Sequence, residues 1–382
     1  MIASGPSHPA VRILLDYRPA LRERTGVGEY VHELARALVA TAEPGESLTL
    51  FSASWKDRLS PDAVAGAATV DRRVPVRLLN LAWHRLEWPP VEALARGPYD
   101  VAHSGHPLLM PARRAAQVVT VHDLDFLDHP ERTRAEIRRD YPSLASAHAL
   151  RADHVIAVSP HTARQVTNRL GVPESRVSVC SPGAPDWPQR GEEPRDGVIL
   201  FLGTLEPRKN LATLLDAYEE LLARSPVPVP RLVLAGRARA EAQALLDRAR
   251  RKPLAGHVEL PGYVEPARRL EVYDRALVLV MPSHTEGFGI PALEAMTRGI
   301  PVVAANRGAL PDVVGPAGLL IDPDDASGLS RALESLVTNR AERDRLRTAG
   351  WRQARRFNWL ETAGEVREAW AMAVEHRQKD RG

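Results

Sequence analysis

Two kinds of pattern alternate along the chain. Short unbroken apolar runs, such as Val11-Arg-Ile-Leu-Leu-Asp16, have the length of buried strands, and stretches such as 30–40 carry apolar residues at helical spacing. Strand followed by helix, repeated, predicts parallel sheets joined by crossover helices. Further strands are predicted at 48–51, 101–103, 118–121 and 155–158. The last runs into Ser159-Pro160, an N-cap residue followed by proline at the first helical position, which opens a helix through Leu170.

Between 181 and 197 the pattern lapses into Ser-Pro-Gly-Ala-Pro-Asp-Trp-Pro and Gly-Glu-Glu-Pro-Arg-Asp-Gly, which is linker composition. A second series follows, with strands at 198–202, 231–235, 258–260 and 277–281 and helices at 211–223, 240–251 and 266–274. The expectation is an α/β chain of two Rossmann-like domains with parallel sheets facing a central cleft, 1–190 and 191–382. The region 351–377 reads as amphipathic helix, and its last part, about 358–378, could pack back on the first domain.

Composition narrows the partners. The 382 residues are 44% apolar, enough for two cores, and 51 basic against 48 acidic side chains leave only +3. No polycationic field exists to recruit nucleic acid. One cysteine, Cys180, excludes an intramolecular disulfide and a cysteine-based zinc site and suits a reducing cytosol. The first nine residues read as no signal peptide, and no apolar run approaches the length of a membrane span. The expected location is cytoplasmic, with peripheral attachment at the inner face of a membrane left open.

The segment richest in chemistry is Met281-Pro-Ser-His-Thr-Glu286-Gly-Phe-Gly289-Ile-Pro291-Ala-Leu-Glu294, a strand, a glycine loop and a helix that starts near Pro291. Gly287 and Gly289 let backbone amides approach a ligand, and the helix N-terminus favours an anion such as a pyrophosphate. Glu294, expected in the first helical turn, could accept hydrogen bonds from a ribose diol or merely complement the helix dipole. Glu286 points into the same pocket or is a solvated loop residue. A second segment, Phe201-Leu-Gly203-Thr-Leu-Glu206-Pro-Arg208-Lys209-Asn210, follows a strand and puts two cations where an open α/β sheet binds ligands.

Together these segments resemble the retaining glycosyltransferases of family 4, which have the two-domain GT-B architecture. The likeness extends to Thr25-Gly-Val-Gly-Glu-Tyr30, Val121-His122-Asp123-Leu124, Asp153-His-Val-Ile-Ala-Val-Ser159 and Ala304-Ala-Asn-Arg-Gly-Ala-Leu-Pro-Asp312, and is greatest to bacterial mannosyltransferase-like members that build surface polysaccharides. The resemblance implies a nucleotide diphosphate sugar as donor, a saccharide or lipid-linked acceptor, no cofactor and no metal. It implies that Glu294 holds the donor ribose and that Glu286 and His122 contact the transferred sugar. Amides around Phe288, Gly289 and Ile290, with Gly287 and Gly203 nearby, receive sugar and phosphate. Lys209, with Arg208 beside it, neutralises the leaving diphosphate, and Gly26 and Gly28 bring the first loop near it. Many relatives carry arginine directly after the strand-ending glycine; this chain has Thr204 there.

Other readings stay open at this level: a nucleotide-sugar epimerase of the same architecture, or a catalytically idle sugar-binding protein. A Rossmann oxidoreductase is disfavoured, because Gly26-Val-Gly-Glu-Tyr-Val31 lacks the third glycine of a dinucleotide loop. Asp123 and Asp125 could orient His122, cap a turn or bind acceptor hydroxyls. Trp83 and Trp88 are candidates for stacking on an acceptor sugar, core packing being the competing role. Arg132, Arg134, Arg138 and Arg139 make a basic face that is either solvated or rests on anionic lipid.

Overall fold

The computed structural model describes residues 11–21, 24, 26–129 and 141–381. Thr25 and the basic face with Arg132, Arg134, Arg138 and Arg139 lie outside the described residues. The chain forms two units, residues 1–183 with 358–382, and 184–357. The sequence boundary lay at Arg190. In the structure the segment before it already belongs to the second unit, where the Trp187 ring lies 5.7 Å from that of Tyr273 and the Arg190 amide donates to the Arg298 carbonyl.

The first unit is built on seven strands: β1 (Arg12–Asp16), β2 (Ser47–Ala53), β3 (Ala68–Arg72), β4 (Val101–Ser104), β5 (Ala116–Val121), β6 (His154–Ala157) and β7 (Val177–Val179). They are parallel throughout, in the order β3-β2-β1-β4-β5-β6-β7. The second unit has β8 (Val198–Leu202), β9 (Leu232–Ala235), β10 (Val258–Gly262), β11 (Ala276–Met281), β12 (Val302–Ala305) and β13 (Leu319–Ile321), also parallel, in the order β10-β9-β8-β11-β12-β13. Both orders reverse direction beside the first strand of the series, between β1 and β4 and between β8 and β11. At such a switch point the connecting helices leave on opposite faces and open a crevice at the carboxyl ends of the strands.

The central strands are buried along almost their whole length, which is why they read as unbroken apolar runs; β11 is buried at every residue. Strands β3 and β13 escaped prediction because they are half-exposed edges, β3 without an apolar run and β13 only three residues long. The helical region near the C-terminus is two helices, Arg340–Ala354 and Trp359–Lys379. Asn358 divides them, its side chain accepting from the Leu360 amide as an N-cap.

Helix Trp359–Lys379 belongs to the first unit, and polar side chains hold it there. The Thr362 hydroxyl donates to the Ser181 carbonyl at 2.6 Å, and the Trp370 indole to His103 Nδ1 at 3.3 Å. Arg367 makes a two-pronged pair with Glu46, at 2.7 and 3.1 Å, and also donates to Thr41 Oγ1 and the Leu38 carbonyl. Removing one partner of such a part-buried pair strands the other charge. Arg367→Ala is therefore expected to cost the first unit about 3 kcal/mol, read as a lower urea midpoint. Arg36→Ala, which removes an exposed i,i+3 pair with Glu33, is expected to change stability by under about 0.5 kcal/mol.

Histidines are unusually deep in this unit. Burial pulls His32, His84, His122, His148 and His154 down to about 4 and His103 to about 3. As pH falls from the ordinary histidine range towards 4, the unfolded chain takes up protons that the folded unit refuses, so stability drops. The urea midpoint of the first unit is expected to fall between pH 7 and pH 5, and an unchanged midpoint would contradict this electrostatic reading.

Candidate active site at the switch point of the second unit

Two loops flank the crevice of the second unit, one after β8 and one after β11. The β8 loop closes with a turn of 3-10 helix, Pro207–Lys209, and then Asn210 in the left-handed region at φ 57. Asn210 joins the loops: its amide donates to the carbonyls of Pro282 at 3.1 Å and Pro323 at 2.7 Å. The His284 amide adds a backbone bond to the Arg208 carbonyl at 2.9 Å.

This stitching brings Lys209 and Glu286 together. Lys209 Nζ donates to Glu286 Oε1 at 2.5 Å, Ser283 Oγ donates to the same oxygen at 2.7 Å, and Arg208 reaches Oε2 at 3.3 Å. All but Arg208 are buried. Burial alone would raise Glu286; the charges of Lys209 and Arg208 outweigh it and hold the carboxyl at about 2. Burial lowers Lys209 from its ordinary value, and the facing Glu286 carboxylate opposes that shift. Arg208 spans Glu206 Oε1 at 2.7 Å and Glu286, so it braces the carboxylate as well as lying beside the crevice.

Glu286 is also fixed from behind. Its carbonyl accepts from the Ala309 amide at 2.9 Å, and a Cβ on Gly308 would lie 2.6 Å from that carbonyl oxygen. Only glycine fits, and Gly308 also has φ +64. Nothing in the local sequence singles out Gly308, Ser283 or Asn210 for this role.

The helix after the glycine loop is Ile290–Thr297, with Gly289 at its N-cap and no side-chain capping bond. Pro291 has no N–H and the Ala292 amide donates to the Gly289 carbonyl at 3.0 Å, which leaves Ile290 as the first-turn amide at the loop. The Phe288 ring is buried, edge-on to Phe357 at 5.5 Å, and Gly287 and Gly289 are buried with it, Ile290 being half-buried. Gly203 ends β8, its amide donating to the Ala235 carbonyl.

Glu294 corrects an expectation. It is the fifth residue of the helix and not in its first turn, so complementing the helix dipole does not explain it. It is buried, with Oε1 accepting from Arg269 at 2.8 Å and Oε2 from the Tyr273 hydroxyl at 2.6 Å. Burial and the neighbouring carboxylate raise Tyr273 well above its ordinary value, so its hydroxyl stays a donor. Neither Arg269 nor Tyr273 stood out in the sequence, because helix Arg269–Asp274 carries no motif. Among the described residues no group of His, Cys, Asp and Glu side chains is arranged as a metal site.

In the first unit the carboxyl ends of β1, β4 and β5 carry a separate polar group. His122, after β5, places Nε2 3.0 Å from the Gly105 carbonyl and lies edge-on to Tyr30 at 4.9 Å. A carbonyl only accepts, so Nε2 carries the proton and Nδ1 keeps a lone pair. Burial keeps the ring neutral above about 4. Asp123 caps the following turn, accepting from the Asp125 amide at 3.2 Å. Gly26 is the N-cap of helix Val27–Ala40, and a Cβ on Gly28 would lie 2.7 Å from the Pro19 carbonyl oxygen, so close packing on the 18–20 turn requires that glycine. Asp16, at the end of β1, is fully buried and paired with Arg18 at 2.6 Å and His106 at 3.1 Å; sequence reasoning passed over this group. Trp83 is core, stacked on Phe51 at 6.1 Å, whereas Trp88 is exposed.

Comparison with known proteins matches these two units to two family models, Glycosyltransferase Family 4 over residues 24–186 and Glycosyl transferases group 1 over 185–353. The O-antigen chain mannosyltransferase B of Escherichia coli is 30% identical over 376 residues, covering 91% of this chain and 96% of that one. The D-inositol 3-phosphate glycosyltransferase of Thermobifida fusca is 28% identical, covering 94% and 91%. Among solved structures, sucrose-phosphate synthase from Thermosynechococcus elongatus superposes with a TM-score of 0.75 at 21% identity, covering 94% of this chain and 98% of that one. HepE of Anabaena, in complex with UDP-glucose, gives 0.69 at 18% over the same shares; at these identities the structures speak for the fold alone. Sheet order, loop geometry and near-full-length relatives agree: the chain belongs to glycosyltransferase family 4 and has the GT-B fold.

Proposed function

We propose that this glycosyltransferase moves a hexose, mannose-like or glucose-like, from a nucleotide diphosphate sugar to a saccharide or lipid-linked acceptor with retention of anomeric configuration. The synthesis of surface polysaccharide or a related glycoconjugate is its setting. The observation that carries the donor assignment is the buried Lys209–Glu286 pair, formed across the switch strands β8 and β11 next to the uncapped start of helix Ile290–Thr297. A cation, a helix N-terminus and glycine-flanked amides together suit a diphosphate. The mannosyltransferase relative supports the mannose-like donor and the polysaccharide setting.

In this reading the acceptor hydroxyl attacks the anomeric carbon on the face from which the diphosphate departs. The bond from that carbon to the phosphate oxygen breaks, the acceptor oxygen replaces it, and the proton passes to the departing phosphate. Lys209 and the loop amides hold the charge that develops on the leaving group, with no cofactor or metal ion invoked. Glu286, held ionised, accepts from one hydroxyl of the transferred sugar at the position left on Oε2, and Nδ1 of His122 is suited to accept from another. Glu294 accepts from the ribose diol, with Arg269 and Tyr273 fixing the direction of its two oxygens. The enzyme works in the cytoplasm.

Lys209→Met is expected to lower kcat by about 10²–10³ with a smaller change in donor KM, measured as nucleoside diphosphate release. Glu294→Gln, which keeps the shape and an acceptor for Arg269 while removing the charge, is expected to weaken donor binding by about 10–100-fold. That loss should show as a collapse of the thermal stabilisation given by the preferred nucleotide sugar. Wild-type kinetics in both variants would remove these residues from the site, and an inverted anomeric configuration in the product, read by NMR, would remove the mechanism. Because Glu286 titrates near 2, the acid limb of kcat/KM above pH 4 is not expected to disappear in Glu286→Gln, whatever that variant's residual rate.

A further inference from the structure

Four of the most exposed large apolar side chains in the first unit fall in one short segment. Leu78, Leu81 and Leu86 are 62%, 59% and 71% exposed and Trp88 is 60% exposed. The first three lie on helix Val76–Leu86, whose opposite face is firmly seated: Leu79 and Trp83 are buried, and the Trp83 indole donates to the Pro89 carbonyl at 2.9 Å. The anchored rotation of the helix therefore directs the leucines outward. At the helical period Leu78, Leu81 and Arg85 share one face, with Arg77 beside them. An element apolar on both faces needs a second apolar surface.

The charges around the segment say which surface. Arg77 and Arg85 are exposed on the helix itself. Past its end, a recess of about 320 Å³ is lined by Leu86, Glu87, Trp88, Arg113 and Arg151 among others. Arg377 and Arg381 reach the same neighbourhood, donating to the Arg113 carbonyl. The acidic groups are already engaged: Glu87 pairs with Arg151, and Glu92 accepts from the amides of Arg113, Arg114 and Ala115. Exposed leucines and an indole set among arginines complement the interface of an anionic bilayer, where apolar side chains enter the acyl boundary and guanidinium groups meet phosphates. Among the described residues no helix is long and apolar enough to cross a membrane, so attachment here would lie in the plane of the surface.

We propose that helix Val76–Leu86 together with Trp88 docks the enzyme on an anionic phospholipid surface. This places the contact away from the basic 132–139 stretch singled out in the sequence, and it stands whether or not the donor-site reading does. The test is co-sedimentation of the full chain with phosphatidylcholine vesicles, with and without phosphatidylglycerol, for the wild type, Leu81→Asp/Trp88→Ala and Arg77→Glu/Arg85→Glu. Wild type is expected to pellet with the anionic vesicles and to be released by salt, with the Trp88 contribution to fluorescence shifting to the blue. Each double variant is expected to bind at least about tenfold more weakly while keeping its melting temperature. Three results would overturn the proposal: no binding by the wild type, equal binding by the variants, or self-association in place of vesicle binding, seen by size exclusion and abolished by Leu81→Asp.

Discussion

The second unit is organised around one costly contact, a carboxylate and an ammonium buried side by side where the strand order reverses. Each ion gives up several kcal/mol of hydration, which their mutual attraction recovers only when the remaining lone pairs and protons are also satisfied. The neighbourhood of Glu286 can be read as that compensation. Ser283 and Arg208 bond the carboxylate, Asn210 locks the two loops at the distance the pair needs, and Gly308 lets the loop after β12 press against the Glu286 backbone. The sheet supplies the position, since β8 and β11 are adjacent only because the series reverses there. Charge held in place in this way needs no reorganisation when a further charge is brought beside it.

The first unit handles polarity differently. Three of its buried polar side chains, His103, His148 and His154, are imidazoles that burial keeps neutral. His103 shows the logic: the Trp370 indole can only donate, so Nδ1 accepts, Nε2 carries the proton, and that proton goes to Thr120 Oγ1 at 2.8 Å. His122 obeys the same rule through the Gly105 carbonyl. A neutral ring of this kind keeps one lone pair that can accept from a donor without bringing a charge. Asp16 is held differently, as an ionised group buried beside Arg18 and His106, which lower its pKa against the opposing effect of burial.

Local pattern revealed the repeating βα units because the central strands are buried on both faces, so that 198–202 could be read to the residue. It failed where burial is incomplete, at β3, β7 and β13, and at β12, whose four residues follow directly on Pro301. The return of helix Trp359–Lys379 to the first unit rests on partners far away in sequence, Ser181, Glu46 and His103, which no local window contains. The site divides in the same way. Glu286, Glu294 and Lys209 announce themselves through glycines, prolines and spacing, whereas Arg269, Tyr273 and Gly308 matter only through the atoms they are folded against.

Glu294 shows what that difference means for recognition. A carboxylate in a first helical turn would be explained by the dipole, and its direction would matter little. One full turn further in, dipole complementarity is lost and burial is retained, and Arg269 and Tyr273 each bond one oxygen of the buried carboxylate. The two donors already seated fix the plane of the carboxylate. A diol presents two donors at a fixed separation, and a carboxylate whose plane is set from behind can meet both at once. Selectivity at such a site comes from orientation more than from charge, and the orientation is written in two residues outside any recognisable motif.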